Sequence, residues 1–224
     1  MENLFTDPFN ILLIAAFIGF FMAFGIGAND VANSMGTSVG ARALTIKQAI
    51  LIAAVFEFLG AFLAGGEVTS TIRKGIVDPN LYTDQVNIFV IGMMSALLAG
   101  GTWLYIASLR GWPVSTTHSI VGAIIGFVLI TKGVDAVSWG KVSNIAMSWV
   151  TSPLFSGILA FSLYISAKKL ILDRANPGKA AITFIPFYSF LVAVVISLVT
   201  ARKGLKHVGI EWTENEVYLF TLIF

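Results

Sequence analysis

Residues 27–41, GANDVANSMGTSVGA, place an aspartate and two asparagines at the end of the apolar stretch Phe9–Ala28. A run of ~20 apolar residues is long enough for a helix to cross the ~30 Å hydrocarbon layer of a membrane. Carboxylate and carboxamide groups are costly beside such a layer, and ionisable groups found there usually mark a functional site. This one stretch therefore bears both on how the chain folds and on what it binds.

The composition is that of an integral membrane protein. The 224 residues are 57% hydrophobic and 12% charged, whereas about a quarter of the residues in a soluble domain are charged. The formal net charge of +2 is too small to indicate nucleic acid as a partner. The chain contains no cysteine, which excludes disulfides and thiolate metal sites. Without a Ser-His-Asp spacing, a Walker loop or a dinucleotide motif, we expect neither an enzyme nor a cofactor.

Apolar segments of spanning length divide the chain. Val137–Thr151 is a shorter and more polar candidate, and Val217–Phe224 begins another apolar run that is too short to span. We predict an all-α integral membrane protein of about six transmembrane helices, with residues 1–224 as a single membrane domain in which a further helix starts at about residue 217. Five segments are long enough to span: Phe9–Ala28, Ala49–Gly66, Asn87–Leu109, Leu154–Leu172 and Ile182–Ala201.

The apolar segment Ser119–Ile130 does not fit this series. Its ~12 residues make ~18 Å of helix, which is too short to cross. Gly111 and Pro113 precede it and are expected to end the helix before it. We predict a re-entrant helical hairpin that enters from one side. Non-helical backbone at membrane depth requires protein or a wet cavity around it, so the hairpin implies a cavity.

The polar residues of the opening stretch predict a cation site. On a helix, Asn29 lies beside Asn33 and Asp30 beside Ser34, which groups their oxygen atoms. Carboxylate, carbonyl and hydroxyl oxygens are the ligands that hard cations such as Na⁺ prefer. The alternative is an interfacial cap, in which these residues end one helix and start another. Three glycines would permit close packing or a local break in the helix: Gly25, Gly27 and Gly36.

Glu57 lies in the middle of its apolar segment, AVFEFLGAFLAGG. A carboxylate at this depth usually faces the interior of a helix bundle and marks an ion pathway or a pairing partner. The alternative is a protonated or hydrogen-bonded glutamate with a structural role. Glu57 is therefore a candidate for cation binding or coupling.

A run of hydroxyl residues opens the segment after Pro113 and predicts an anion site. If a half-helix begins there, its free N–H groups and positive dipole end point into the cavity. Such groups, together with hydroxyls, suit the oxygens of phosphate or sulfate. The alternative is a helix cap without a ligand, and His118 has either a proton-carrying or a structural role. The run comprises Ser115, Thr116, Thr117, His118 and Ser119.

Three motifs resemble those of the inorganic phosphate transporter (PiT) family. The stretch GANDVANSMGTSVGARALT resembles the family signature. The stretch GWPVSTTHSIVGAIIGF resembles its hairpin motif, and FEFLGAFLAG resembles its buried-glutamate helix. The order and spacing of the motifs agree across the whole chain. Family members carry two inverted copies of this unit, and their binding sites lie where the copies meet, as is typical of such repeats.

The resemblance implies a secondary active transporter that imports inorganic phosphate by alternating access, driven by Na⁺ or alternatively by H⁺. It implies that Na⁺ binds at Asn29, Asp30 and Asn33, with Glu57 close by. It also implies that the hydroxyls of Ser115, Thr116 and Thr117 hold phosphate. Each motif occurs once in these residues. The expected partners are therefore phosphate, the coupling ion, the lipid bilayer, and a second transporter half or further copies in a homo-oligomer.

Two other interpretations remain open. The chain is a non-transporting half or an accessory membrane subunit that needs a partner half, or it carries another oxyanion such as sulfate or a metal–phosphate complex. Hydroxyl and N–H donors do not by themselves separate phosphate from sulfate. In each case we expect a multi-pass protein of the cell membrane, which is the inner membrane if the source is bacterial.

Overall fold

The computed structural model describes the backbone of residues 7–204 and 212–223, and the side chains in these ranges except those of residues 63–75, 203–204 and 222–223. Short π-helical turns continue two of the helices, over Lys168–Leu172 and Thr200–Gly204. The prediction of an all-α membrane protein is confirmed. The described residues form α1 (Pro8–Gly40), α2 (Ile46–Gly75), α3 (Val86–Leu109), α4 (Thr116–Lys132), α5 (Trp139–Ala167), α6 (Pro177–Val199) and α7 (Glu214–Ile223).

The starts of several helices follow from local sequence. Asp7 caps α1 by accepting a hydrogen bond from a main-chain N–H of the first turn, and Pro8 fills the first helical position, where no N–H is needed. Thr45 and Gln48 form a reciprocal capping box at α2. Asn176 caps α6 in the same way as Asp7 caps α1. These polar residues mark where the apolar segments begin.

Four helices of the described residues are long and apolar enough to cross a membrane. They are Pro8–Gly40, Val86–Leu109, Trp139–Leu172 and Pro177–Arg202. α2 contains the predicted segment Ala49–Gly66, of which the side chains from residue 63 onward lie outside the description. The number of spanning helices, which we predict to be about six, therefore stays a prediction.

α1 runs without interruption through the opening stretch. Its 33 residues make a helix of about 50 Å, and Asn29, Asp30 and Asn33 lie within it. Of the two roles that the glycines permit, the local break does not occur, and the interfacial cap, in which one helix would end here and another begin, is wrong. An unwound turn in lipid would leave main-chain groups without partners, whereas a single glycine costs a helix only about 1 kcal/mol.

The two predicted segments Val137–Thr151 and Leu154–Leu172 are one helix. α5 begins at Trp139 and continues through Pro153 into the π-helical turn that ends at Leu172. Pro153 lies between the two predicted segments, and proline lacks the N–H that continues a helix. Membrane helices tolerate proline where neighbouring groups satisfy the freed main-chain atoms, and this helix is continuous across it.

α4 is the short apolar helix that was predicted as part of a hairpin. It spans 17 residues, somewhat more than the predicted Ser119–Ile130, and it packs against α3. Gly111, two residues after the end of α3, has φ +65°, a conformation that favours glycine. The re-entrant position of the segment around Ser119–Ile130 stays a prediction.

The chain divides into two compact units, Met1–Phe58 with Ser70–Trp139 and Leu59–Thr69 with Gly140–Phe224. In the first unit, α1 and α3 pack closely through glycines. A Cβ on Gly25 would lie 3.2 Å from Cβ of Leu104, and one on Gly101 would lie 3.1 Å from Cα of Met22. Small residues at these two positions let the helix backbones approach each other.

The first unit also contains an aromatic cluster that joins α4 to the start of α3. Tyr82 is 1% exposed, and its ring centroid lies 5.6 Å from that of Phe127 and 5.2 Å from that of Phe89. Its hydroxyl is hydrogen-bonded to the hydroxyl of Thr131 at 2.6 Å. The ammonium of Lys132 lies 4.9 Å from the centre of the Tyr82 ring. The C-terminal end of α4 is therefore anchored beside α3.

Gly92 provides a test of this packing. Any Cβ at Gly92 would overlap the ring of Phe127, which the Tyr82 and Phe89 rings hold in place. We expect Gly92→Ala to destabilise the protein by about 1–3 kcal/mol, as overpacking of a core does. The midpoint of thermal unfolding in detergent measures the effect.

Gly122→Ala is the matched control for this test, because a Cβ on Gly122 meets nothing within 4 Å. Replacing a glycine inside a helix by alanine without a clash stabilises it by up to about 1 kcal/mol. Equal midpoints for the two variants would show that Phe127 moves freely and would contradict the described packing.

In the second unit, α5 and α6 carry long apolar faces. None of the residues in the most apolar windows of these two helices is buried by the described residues. The hydroxyl of Ser166 on α5 is hydrogen-bonded to that of Tyr188 on α6 at 2.7 Å. At the start of α7, the Glu216 carboxylate accepts hydrogen bonds from the main-chain N–H and the hydroxyl of Thr213, which lowers the pKa of Glu216.

Candidate functional site

The polar residues of α1 occupy two adjoining faces of the helix. Each residue advances the helix by about 100°, so Asn29 and Asn33 share one face while Asp30 and Ser34 share the next. The side chain of Asn29 is buried, that of Asp30 is half-buried, and that of Asn33 is exposed. The Ser34 hydroxyl donates to the carbonyl of Val31, within its own helix.

Asn29 connects α1 to the segment between α3 and α4. Its Nδ2 donates to the carbonyl oxygen of Trp112 at 3.0 Å, and its Oδ1 accepts from the main-chain N–H of Val114 at 3.3 Å. Oδ1 also accepts from Nδ2 of Asn33 at 3.3 Å. The orientation of the carboxamide follows from this network, because a main-chain N–H only donates and a carbonyl only accepts.

A cavity of about 190 Å³ lies at this junction. Asn33 and Trp112 are among its lining residues, and the guanidinium of Arg110 lies 5.0 Å from the centre of the Trp112 ring. Arg110 thus brings a positive charge to the same connection. The cavity is lined by Ala28, Asn29, Ala32, Asn33, Ser108, Gly111, Trp112 and Pro113.

The hydroxyl run forms the N-terminus of α4. Ser115 is the N-cap, and its Oγ accepts a hydrogen bond from the N–H of His118 at 3.3 Å. Thr116 and Thr117 are the first two helical residues, and such positions have N–H groups without an acceptor inside the helix. Thr116 is half-buried and Thr117 is exposed. This terminus therefore offers two N–H groups and two threonine hydroxyls at the positive end of a helix dipole.

Glu57 lies on α2 and approaches α1 beside the polar faces. A Cβ on Gly27 would lie 3.9 Å from Oε2 of Glu57, and Gly27 shares the face of α1 that carries Asp30 and Ser34. The side chain of Glu57 is exposed in the described residues. A substitution at Gly27 would therefore project toward this carboxylate.

The structure links three of the predicted site residues, Asn33, Asn29 and Ser115, directly or through one neighbour. Asn33 bonds to Asn29, and Asn29 bonds to Val114, which precedes Ser115. Asp30 and Glu57 adjoin this chain of contacts on the neighbouring face of α1. Sequence reasoning missed the two main-chain groups of Trp112 and Val114, because a main-chain partner 83 or 85 residues away leaves no pattern in the side chains.

The long apolar helices define a polytopic membrane protein, and the polar residues of α1 form a junction with the segment that precedes α4. The sequence model of the phosphate transporter family matches residues 26–224. The chain belongs to this family, whose members are transporters and not enzymes. Family membership and the spanning helices together place the protein in a membrane.

Individual relatives agree with this assignment. The chain is 51% identical over 209 residues to a putative phosphate permease of Haemophilus influenzae, which covers 93% of this chain and 50% of the relative. It is 48% identical over 179 residues to the chloroplastic inorganic phosphate transporter 2-1 of Arabidopsis thaliana, which covers 80% of this chain and 30% of the relative. The resemblance seen in the motifs is confirmed.

A solved structure shares the fold. The sodium-dependent phosphate transporter superposes with a TM-score of 0.86 at 42% sequence identity, over 95% of this chain and 52% of that chain. The present chain spans about half the length of this protein and of the curated bacterial relative.

Proposed function

We propose that the chain forms one half of a secondary active transporter that imports inorganic phosphate together with Na⁺. The observation that carries the proposal is the direct hydrogen-bonded link between the polar faces of α1 and the segment that opens α4. This link sets cation-type ligands beside anion-type ligands. Two oppositely charged solutes that bind side by side stabilise each other, which is the physical basis of coupled transport.

The proposed phosphate site is the N-terminus of α4. Thr116 and Thr117 supply hydroxyls and unpaired N–H groups, and the Ser115 hydroxyl retains its proton for donation while its oxygen caps the helix. Arg110 adds a positive charge at the same connection. His118 follows these residues, and its main-chain N–H is held by the cap, so we assign it a structural role with proton transfer as the alternative.

The proposed cation site lies on α1, with Glu57 beside it. Asp30 supplies a carboxylate, and the Oδ1 atom of Asn33 supplies a neutral oxygen one turn away. Glu57 adds a second carboxylate at the face that carries Gly27. Asn29, also predicted as a ligand, has both lone pairs of its Oδ1 atom engaged by hydrogen bonds.

Na⁺ is preferred over H⁺ as the coupling ion because the structurally similar protein is described as sodium-dependent. A carboxylate inside a membrane protein serves either ion. We propose that the site opens to the two sides of the cell membrane in turn, the inner membrane in a bacterium. It is completed by a second half, supplied by further residues of a longer polypeptide, by a separate chain or by another copy. We call this chain together with its second half the complete assembly.

Uptake of radiolabelled phosphate into proteoliposomes tests the proposal. The complete assembly is reconstituted, and a Na⁺ gradient or a pH gradient is imposed separately. We expect phosphate to accumulate under the Na⁺ gradient, and unlabelled phosphate to compete with it better than sulfate does. Accumulation under the pH gradient alone would replace Na⁺ by H⁺, and no accumulation under either gradient would refute coupled transport of phosphate.

A second candidate function follows from the length of the match, which covers about half of the similar proteins. In this view the chain is a non-transporting or accessory half. Proteoliposomes that hold only these 224 residues separate the two candidates. Uptake by the chain alone would mean that its copies complete the site, whereas uptake only after a second half is added would assign the chain a dependent role.

A further inference from the structure

Asn29 has surroundings that differ from those of an ion ligand. Its side chain is 5% exposed, and its strongest contact is the 3.0 Å bond from Nδ2 to the carbonyl of Trp112. Its Oδ1 accepts two hydrogen bonds, from Val114 and from Asn33. An amide oxygen has two lone pairs, so a cation could bind this atom only if it displaced one of these donors.

The carboxamide of Asn29 forms hydrogen bonds with the main chain in the pattern that a neighbouring β-strand would form. It donates to the carbonyl of residue 112 and accepts from the N–H of residue 114, while Pro113 between them has no N–H to offer. Within the described residues, no other group bonds to these two main-chain atoms. The Asn29 side chain therefore satisfies the hydrogen-bonding groups of the main chain between the end of α3 and the start of α4.

The helix that carries Asn29 is itself fixed. Gly25, one turn before Asn29, packs against Leu104 and the carbonyl of Gly101 on α3. A Cβ at Gly25 would lie 3.3 Å from that carbonyl oxygen, a tight approach of two helices. Asn29 thus projects from a rigid pair of helices toward the segment that follows α3.

The position of Val114 determines that of the anion-binding terminus. Val114 directly precedes the N-cap Ser115, and consecutive Cα atoms are held ~3.8 Å apart by the peptide unit. A shift of Val114 therefore moves Ser115 and the threonines after it. Asn33 bonds to the same oxygen of Asn29, which links the proposed cation ligands to this positioning contact.

We infer that Asn29 is a positioning residue. It holds the main chain of residues 112–114 so that Ser115, Thr116 and Thr117 face phosphate, and it does not ligate the cation. The inference rests on the proposed phosphate transport, and it changes the role of Asn29 from cation ligand to support of the anion site.

Asn29→Leu tests the inference, since leucine has a similar shape and no hydrogen-bonding group. In the complete assembly we expect the KM for phosphate at saturating Na⁺ to rise about tenfold or more, the range of typical couplings between sites. Na⁺ affinity without phosphate, measured as thermal stabilisation by Na⁺, should change much less than the phosphate KM, because the carboxylate of Asp30 and the Oδ1 atom of Asn33 are both retained. Deuterium exchange in a peptide that contains Val114 should become faster.

Two variants serve as comparisons. Asn33→Leu removes a proposed cation ligand, so Na⁺ affinity should fall sharply. Ser108→Ala alters the lining of the same cavity but loses only a bond to the carbonyl of Leu104, so the phosphate KM should be unchanged. A loss of correctly folded protein would lower the maximal rate without raising KM, which separates positioning from a general folding defect.

The inference is overturned if Asn29→Leu behaves as Asn33→Leu does, with lost Na⁺ affinity and an unchanged phosphate KM at saturating Na⁺. If the leucine variant does not fold, Asn29→Asp replaces it: the donor to Trp112 is lost but an oxygen remains. A positioning role again raises the phosphate KM, and an unchanged KM overturns it. Absence of phosphate uptake by the unsubstituted assembly would refute the proposed function instead, and deuterium exchange would still report on the contact.

Discussion

Asp30→Asn is expected to reduce Na⁺-driven phosphate uptake by the complete assembly by about 100-fold or more. The substitution keeps the shape of the side chain and removes its charge. Asp30 is half-buried on α1, and within the described residues no basic group forms an ion pair with it. Its charge is therefore available to a cation. At ~4 Å and an effective dielectric constant of ~20, a unit charge pair is worth about 4 kcal/mol.

The measurement is the initial rate of phosphate uptake as a function of Na⁺ concentration. We expect the Na⁺ concentration at half-maximal rate to rise steeply in Asp30→Asn. Asp84→Asn is the control, because Asp84 is an exposed residue between the Pro79–Tyr82 turn and α3, and it should behave as the unsubstituted protein does. If Asp30→Asn retained the same Na⁺ dependence within about twofold, Asp30 would not be a cation ligand.

Thr116→Val is expected to lower the kcat/KM for phosphate by about 10- to 100-fold. Valine keeps the branched shape and the backbone preference of threonine, so the change removes one hydroxyl donor. A hydrogen bond to a charged group contributes about 1.5–3 kcal/mol, which corresponds to this range. Thr116 is the first residue of α4 and is half-buried, so water cannot replace the hydroxyl freely.

The matched control is Thr183→Val on α6. The Thr183 hydroxyl donates to the carbonyl of Lys179 within its own helix, and Thr183 is not among the residues proposed to bind either solute. Phosphate uptake at saturating Na⁺, with sulfate as competitor, is the measurement. An unchanged kcat/KM in Thr116→Val would exclude its hydroxyl from the phosphate site, and an equal loss in Thr183→Val would assign the effect to helix stability.

Much of the fold was predictable because the membrane imposes a length and a composition on each helix. The bounds of the predicted segment Asn87–Leu109 agree with those of α3 to within one residue, because polar residues flank the segment on both sides. The join at Pro153 was not predictable in this way, because a single proline signals a boundary in water and is tolerated in a membrane helix. The continuity of α1 was missed for a related reason, as glycines permit a break without requiring one.

How far the site could be predicted likewise depends on whether each contact joins residues that are near or distant in the sequence. The helical spacing of Asn29 and Asn33, and the capping role of Ser115, follow from neighbours within four residues. The contact of Asn29 with Trp112 depends on how α1 packs on α3. That packing is set by close approaches at Gly25 and Gly101, which the sequence records only as two small residues.

The contact of Asn29 with peptide groups has a consequence for protein engineering. Because the carboxamide forms hydrogen bonds only with main-chain atoms of residues 112 and 114, the side chains at these two positions are not part of that contact. A library could vary both of them, of which Trp112 lines the cavity, while residue 29 and Pro113 are kept. Anion preference could then be retuned from a loop, without altering any residue proposed to bind either solute.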